Sequence, residues 1–190
     1  RGESPEENLR RQVEETVAAV CPYRGLRPFR EGDAPFFFGR EVFTERLVEA
    51  VRRRSLIAVV GSSGSGKSSV VRAGLVPILR HGAGGLVWDV SYMVPGDQPL
   101  RALVAALILL LEPQKSDADQ LIEVGKLAPA LARGEVRLQD MVARTLSKPL
   151  GTDRVLLVID QFEELYTACR EEQWRRRFLD ELLEATTNSQ

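Results

Sequence analysis

Residues 61–68 read Gly-Ser-Ser-Gly-Ser-Gly-Lys-Ser, a full match to the spacing G-x-x-x-x-G-K-[ST]. No other stretch constrains what this chain can fold into as tightly. Gly61, Gly64 and Gly66 let the backbone curl so that successive N–H groups converge on one anion. Lys67 can then carry a point charge to the outer phosphates of a nucleotide, and the Ser68 hydroxyl can take a coordination position on Mg²⁺. The expected phosphate contacts are therefore Gly61, Ser62, Ser63, Gly64, Ser65, Gly66, Lys67, Ser68 and Ser69. Both flanks fit. Leu56-Ile57-Ala58-Val59-Val60 is a short apolar run that predicts a buried parallel strand. Residues 68–79 predict a helix whose N-terminal dipole faces the same phosphates. A Gly/Ser linker matching by chance would need neither flank.

A second motif lies about ninety residues further on. Val155-Leu156-Leu157-Val158-Ile159 ends in Asp160, followed by Gln161-Phe162-Glu163-Glu164. After a phosphate loop this is the Walker B arrangement: a buried parallel strand projects an acid from its C-terminal end, where ligands sit in open α/β sheets. Asp160 is expected to hold Mg²⁺ together with Ser68. A further acid must orient the attacking water. Gln161 directly follows Asp160, so that role falls to Glu163 or Glu164, with Glu163 preferred. The bland reading of either is a solvated acid opening the next helix.

The composition, 44% hydrophobic and 28% charged over 190 residues, is that of an ordinary globular domain, with a formal net charge of −1 that gives no reason to expect nucleic acid. Arg52-Arg53-Arg54 closes a predicted helix, where cations suit the dipole, and Arg175-Arg176-Arg177 is expected on a solvated helix face. Cys21 and Cys169 have no metal-ligand spacing, which together with the lack of a secretory signal points to a cytoplasmic protein. His81 is the only histidine, so His-based metal sites and Ser-His-Asp triads have little to draw on. The longest apolar run, at 102–111, is too short to span a bilayer.

The organisation follows from punctuation and periodicity. Residues 1–20 are polar and charged and read as a linker or the tail of an upstream element, and 21–190 as the domain. Residues 21–39 carry Pro22, Pro28 and Pro35 among Tyr23, Phe29, Phe36, Phe37 and Phe38, so helices and long strands are not expected there. Those aromatics need a surface to lie against, either core or a flat ligand. Phe43, Leu47 and Val51 predict a helix over 41–54. A second strand is expected at 86–93, then a helix at 99–111 capped by Asp97. That helix is apolar nearly all round, so it must be deeply buried or covered by a partner. Two more helices near 118–132 and 136–147 lead to the third strand, and a last one near 172–184 shows Trp174, Phe178 and Leu182 on one stripe.

Four motifs in order carry a resemblance. Pro22-Tyr23-Arg24-Gly25-Leu26-Arg27-Pro28-Phe29, Phe38-Gly39-Arg40-Glu41, Arg72-Ala73-Gly74-Leu75-Val76-Pro77 and Asp160-Gln161-Phe162-Glu163-Glu164 resemble the novel STAND branch of the signal-transduction ATPases with numerous domains. That branch is bacterial and often linked to WD-repeat propellers. The resemblance implies an α/β fold of the AAA+-like kind, a parallel sheet flanked by helices. It implies that Phe38, Gly39 and Arg40 border the adenine of ATP or ADP. It also implies a slow switch: ADP holds a closed monomer, sensor and effector domains lie on the same polypeptide, and ATP favours self-association. Such proteins have a five-stranded sheet with a strand between the loop strand and the Walker B strand. Only three strands are expected here, so the chain is expected to be the front portion of a larger protein, barely able to hydrolyse ATP by itself. The rivals are a non-hydrolysing nucleotide scaffold, a P-loop phosphotransferase and a pure interaction module.

Overall fold

The computed structural model describes residues 27–82, 84–148 and 151–187. The expected linker at 1–20, Cys21 and the 22–26 part of the first family motif lie outside the described residues. The first element corrects the sequence reading: a single 3-10 helix, Glu31–Phe36, forms within the Pro-rich stretch. It forms because the Asp33 carboxylate accepts from the Arg30 N–H at 2.8 Å, closing the turn from its side chain. Pro35 is tolerated because so short a helix asks little of its N–H.

Helix α1, Glu41–Arg53, follows, with Glu41 in its first turn and Arg52 and Arg53 in its last. Its buried stripe is Thr44, Leu47, Val48 and Val51, while Phe43 is exposed. Helix α2 starts at the loop as Lys67–Ser69, widens to a π-helical stretch Val70–Leu75, and closes as Val76–Arg80. The widening was not expected for 68–79. Pro77 has no N–H to offer a carbonyl one turn back, which disturbs the ladder at this point. Strand β1 is Trp88–Met93 and helix α3 is Pro99–Leu111. Gln98, not Asp97, occupies the N-cap of α3, with no side-chain bond, because Pro99 at the first position leaves one donor fewer to satisfy. Helices α4, Asp117–Arg133, and α5, Leu138–Leu146, precede strand β2, Arg154–Ile159. The one-turn helix α6, Glu164–Thr167, and helix α7, Glu172–Thr187, follow.

The two strands pair in parallel, from Trp88 opposite Arg154 to Met93 opposite Ile159, and the Asp160 N–H extends the ladder to the Met93 carbonyl at 2.9 Å. Alternation along them sorts the helices into layers. On one face Trp88 joins Leu47, Val48 and Val51 of α1 and Val70, Leu75 and Leu79 of α2, with Leu156 packed against them. On the other, Met93, Leu157 and Ile159 meet Leu103, Val104 and Leu107 of α3, together with Leu131, Met141, Leu165 and Phe178. Helices therefore cover both faces of a parallel pair, an α/β arrangement. Helix α3 is buried in this chain's own core, and its expected alternative, a partner surface, is confined to residues such as the exposed Leu109.

The strand expected at 56–60 is a correction. The segment keeps a strand's alternation, with Ile57 and Val59 packed on the α1–α2 cluster and Leu56 and Val60 exposed, yet it joins no ladder. A strand is defined by its partner, and the sheet formed among the described residues has the order β1-β2. The sheet has two strands where three were expected.

The arginine run at 175–177 also departs from the sequence reading. Only Arg176 stays on a solvated face, paired with Glu172. Arg175 donates to the Cys169 carbonyl at 2.7 Å. Arg177 turns inward to Glu181 and donates from Nε to the Leu131 carbonyl at 3.1 Å. Glu181, 2% exposed, accepts the Leu138 N–H at 2.6 Å, so its carboxylate caps α5 from another helix.

Helices α1 and α2 approach closely at one place. A Cβ on Gly74 would lie 2.7 Å from Thr44 Oγ1 and 3.1 Å from its methyl group. Gly74→Ala should therefore lose stability: overpacking costs about 1–3 kcal/mol, against a helix-propensity gain of up to ~1 kcal/mol. Urea unfolding of Gly74→Ala in the wild-type and Thr44→Ala backgrounds checks this. The loss should shrink in the second background, and equal losses in both would refute the contact as its cause.

Candidate functional site

The loop between 60 and 67 takes its shape from two glycines in the left-handed region, Gly64 at φ 75° and Gly66 at φ 86°. A Cβ at either position would point into open space, so it is the left-handed backbone, not crowding, that calls for glycine there. Lys67 folds back over the loop, its Nζ donating to the Gly61 and Ser62 carbonyls at 2.8 and 2.9 Å. The ammonium thus sits over the loop it would serve, held by two neutral acceptors that a phosphate oxygen could replace.

Beside the loop is a cleft of about 310 Å³, lined by Phe29, Phe36, Phe37, Phe38 and Arg40 and by Gly64, Ser65, Gly66, Ser69 and Val70. The aromatic stretch and the phosphate loop, apart in sequence, form one concavity. Phe29 and Phe37 pack tilted, with ring centroids 5.7 Å apart, while Phe38 is 76% exposed at the rim. Gly39, at φ 82°, donates its N–H to Glu41 Oε1 at 2.8 Å. The backbone N–H groups of Glu41 itself and then of Gly39 hold the Glu41 carboxyl below the usual range. Ser69 is buried, and its hydroxyl accepts the Phe29 N–H at 3.1 Å. This bond ties the aromatic stretch to α2. A larger hollow, about 380 Å³, is lined by Glu45, Val48, Glu49, Arg52, Arg53 and Ile78, and by no residue of the loop.

The two motifs meet at Asp160. Ser68 Oγ donates to Asp160 Oδ1 at 2.9 Å across 92 residues of sequence. The Gln161 N–H adds a second bond to Oδ1 at 3.0 Å, and Arg72 Nη2 reaches Oδ2 at 3.1 Å. Gln161 has φ 50°, a left-handed conformation that turns the chain sharply as it leaves β2. The Arg72 guanidinium lies 5.0 Å from the centre of the Tyr92 ring. Burial pushes the Tyr92 phenol up, helped by the charge of Glu31 and opposed by Arg72 and Arg80.

Glu163 and Glu164 stand apart from this group. Glu163 is exposed at the N-cap of α6, its carbonyl accepting the Tyr166 and Thr167 N–H groups at 3.0 and 3.1 Å. Glu164 opens α6 and is half-buried. Neither carboxylate joins the hydrogen bonds around Asp160. Sequence reasoning gave Arg72 no role at the site, although the signal was present: it lies four residues after Ser68 on a helix, hence on the same face. Tyr92 and Ser69's bond to Phe29 had no comparable local signal.

No cluster of three or more His, Cys, Asp or Glu side chains among the described residues could hold a metal ion by itself. The donor set suits a hard cation that takes a hydroxyl, a carboxylate and phosphate oxygens, and keeps waters, as Mg²⁺ does. Ser68 and Asp160 are already in contact. Among the described residues no helix is long and apolar enough to cross a membrane.

A glycine-shaped loop opening a helix, bonded at its first hydroxyl to the acid that ends a parallel strand, defines the class of phosphate-loop NTPases. Within that class, the family described as Novel STAND NTPase 1 has a sequence model that matches residues 22–190, and the chain belongs to that family. No curated protein and no solved structure matches the chain.

Ser69→Ala should lower stability by about 1 kcal/mol, because the half-buried Phe29 N–H loses its acceptor. Chemical denaturation reads the effect, and an unchanged midpoint would mean that the bond does not anchor the aromatic stretch.

Proposed function

We propose that this chain binds ATP or ADP with Mg²⁺ and serves as the nucleotide-reading part of a slow conformational switch. The observation that carries the reading is the Ser68–Asp160 bond, which joins the loop's metal-side hydroxyl to the acid ending β2. The cleft formed by Phe29, Phe37, Phe38 and Arg40 against Gly64, Ser65 and Gly66 supports it further, because a flat base could lie there while its phosphates reach the loop amides. In this reading Lys67 leaves the Gly61 and Ser62 carbonyls and takes the outer phosphates, while Ser62, Ser63 and Ser65 contribute loop amides. Phe38, Gly39 and Arg40 border the base. Ser68 and Asp160 would hold Mg²⁺, which when bound neutralises phosphate charge. Glu163, or failing it Glu164, orients the attacking water after the turn at Gln161 has moved it toward the site. Sensor and effector domains of the same polypeptide, and self-association in the ATP state, complete the switch.

A second reading, a scaffold that holds nucleotide without turning it over, draws support from the exposed position of Glu163 on α6. Phosphate release in the steady state separates the two.

Lys67→Ala should weaken ATP binding by removing a charge-assisted contact of about 1.5–3 kcal/mol, on the order of 10- to 100-fold in affinity. Calorimetric titration of the chain with ATP and Mg²⁺ measures it, and unchanged affinity would remove the basis of the reading. Glu163→Gln should keep ATP binding and lose most turnover, with a smaller effect from Glu164→Gln. Paired binding and phosphate-release assays decide between them, and turnover lost only in Glu164→Gln would reverse the two roles.

A further inference from the structure

Both carboxylate oxygens of Asp160 have partners within the chain. Oδ1 accepts from Ser68 Oγ and the Gln161 N–H, and Oδ2 is paired with the Arg72 guanidinium at 3.1 Å. The side chains of Arg72 and Asp160 are 29% and 22% exposed, so solvent screens the pair less than it would on an open surface. Arg72 is steadied over Tyr92, 5.0 Å from the ring centre, and Tyr92 stands opposite Val158 in the strand that ends at Asp160. A second observation concerns what Arg72 lacks: its Nε is buried with no hydrogen-bond partner. A guanidinium with saturated donors would be fixed in place. This one is held chiefly by the charge of a single carboxylate, at the cost of an unmade bond.

We infer that Arg72 is the resident counter-ion of Asp160, and that it keeps the site from taking a divalent cation until a nucleotide's phosphates are present. The inference deepens the proposed function and rests on its assignment of Ser68 and Asp160 to the metal. The electrostatics are simple. A hard divalent cation needs concentrated negative charge to exchange its waters for protein oxygens. The Asp160 carboxylate alone offers one negative charge, which Arg72 cancels. Added phosphates restore an excess that one guanidinium cannot offset, and the cation then binds with the nucleotide rather than before it. Arg72 acts through Asp160, so it is a positioning residue.

Mn²⁺, followed by its electron paramagnetic resonance signal, is the probe, titrated into nucleotide-free protein. The wild type should bind it weakly, and Arg72→Gln should bind it more tightly by on the order of tenfold, since one repelling charge has gone. Arg72→Lys, which keeps the charge, should stay at the wild-type level, and Asp160→Asn added to Arg72→Gln should erase the gain. Circular dichroism of each variant establishes folding. Equal or weaker Mn²⁺ binding by folded Arg72→Gln would overturn the inference. So would tight Mn²⁺ binding by the nucleotide-free wild type, a result that needs no variant. ADP binding to the wild type in excess chelator is measured separately. Its absence would count against the nucleotide reading, while the Mn²⁺ comparison would still report on Arg72 and Asp160.

Discussion

One carboxylate joins the two halves of this molecule. Asp160 ends β2, and its two oxygens gather the Ser68 hydroxyl, the Gln161 amide and the Arg72 guanidinium. Two of those donors stand on α2, so the bonds set the angle at which α2 leaves the loop relative to the end of the sheet. The ladder bond from the Asp160 N–H to Met93 fixes the backbone from which the carboxylate projects. A side chain on a flexible tail could not do this, because the entropy of ordering it would cancel the gain. At the end of a paired strand most of that ordering has already occurred.

The two faces of the sheet are built differently. The face with α3, α4, α5 and α7 holds the larger core, including Leu103, Val104, Leu131 and Phe178, none measurably exposed. The face with α1 and α2 holds a smaller cluster, capped by Trp88 and edged by Ile57 and Val59. All the proposed nucleotide contacts lie on or beside this second face. A site that must admit and release a ligand is better placed on the thinner core, where fewer apolar contacts resist local opening.

Much of this arrangement was legible in the sequence, for identifiable reasons. The loop spacing dictates its own geometry, so Gly64, Gly66, Lys67 and Ser68 could be placed by residue type alone. The helices expected at 99–111 and 118–132 came within a residue or two of α3 and α4, and the apolar run before Asp160 gave β2. Several of the failures depend on partners distant in sequence. Residues 56–60 have a strand's composition, but strand pairing is a property of neighbours, not of the segment. The arginines at 175–177 look alike in one dimension, yet Arg177 turns inward because Glu181 and the Leu131 carbonyl are there to receive it. The π-helical stretch in α2 has a local cause instead, the missing N–H of Pro77, and its Gly74 is where Thr44 comes close. At the site, Ser68 and Asp160 could be paired in advance because both belong to recognised motifs. Arg72 belongs to no such pair, and only the geometry gave it a partner.

The corner where α4, α5 and α7 meet has a consequence for motion. Glu181 takes the first N–H of α5, Arg177 takes a carbonyl near the end of α4, and Arg137 pairs with Glu184 at 2.7 Å. Each bond crosses between helices, and the innermost of them is shut off from water, so breaking one strands a charge or a donor in a poor environment. Three helices joined in this way are expected to open together, as one cooperative unit, in amide hydrogen exchange. Under the proposed function, a rearrangement on ligand binding would then fall to the other side of the sheet, with the helical block as the anvil against which α1, α2 and the aromatic segment shift.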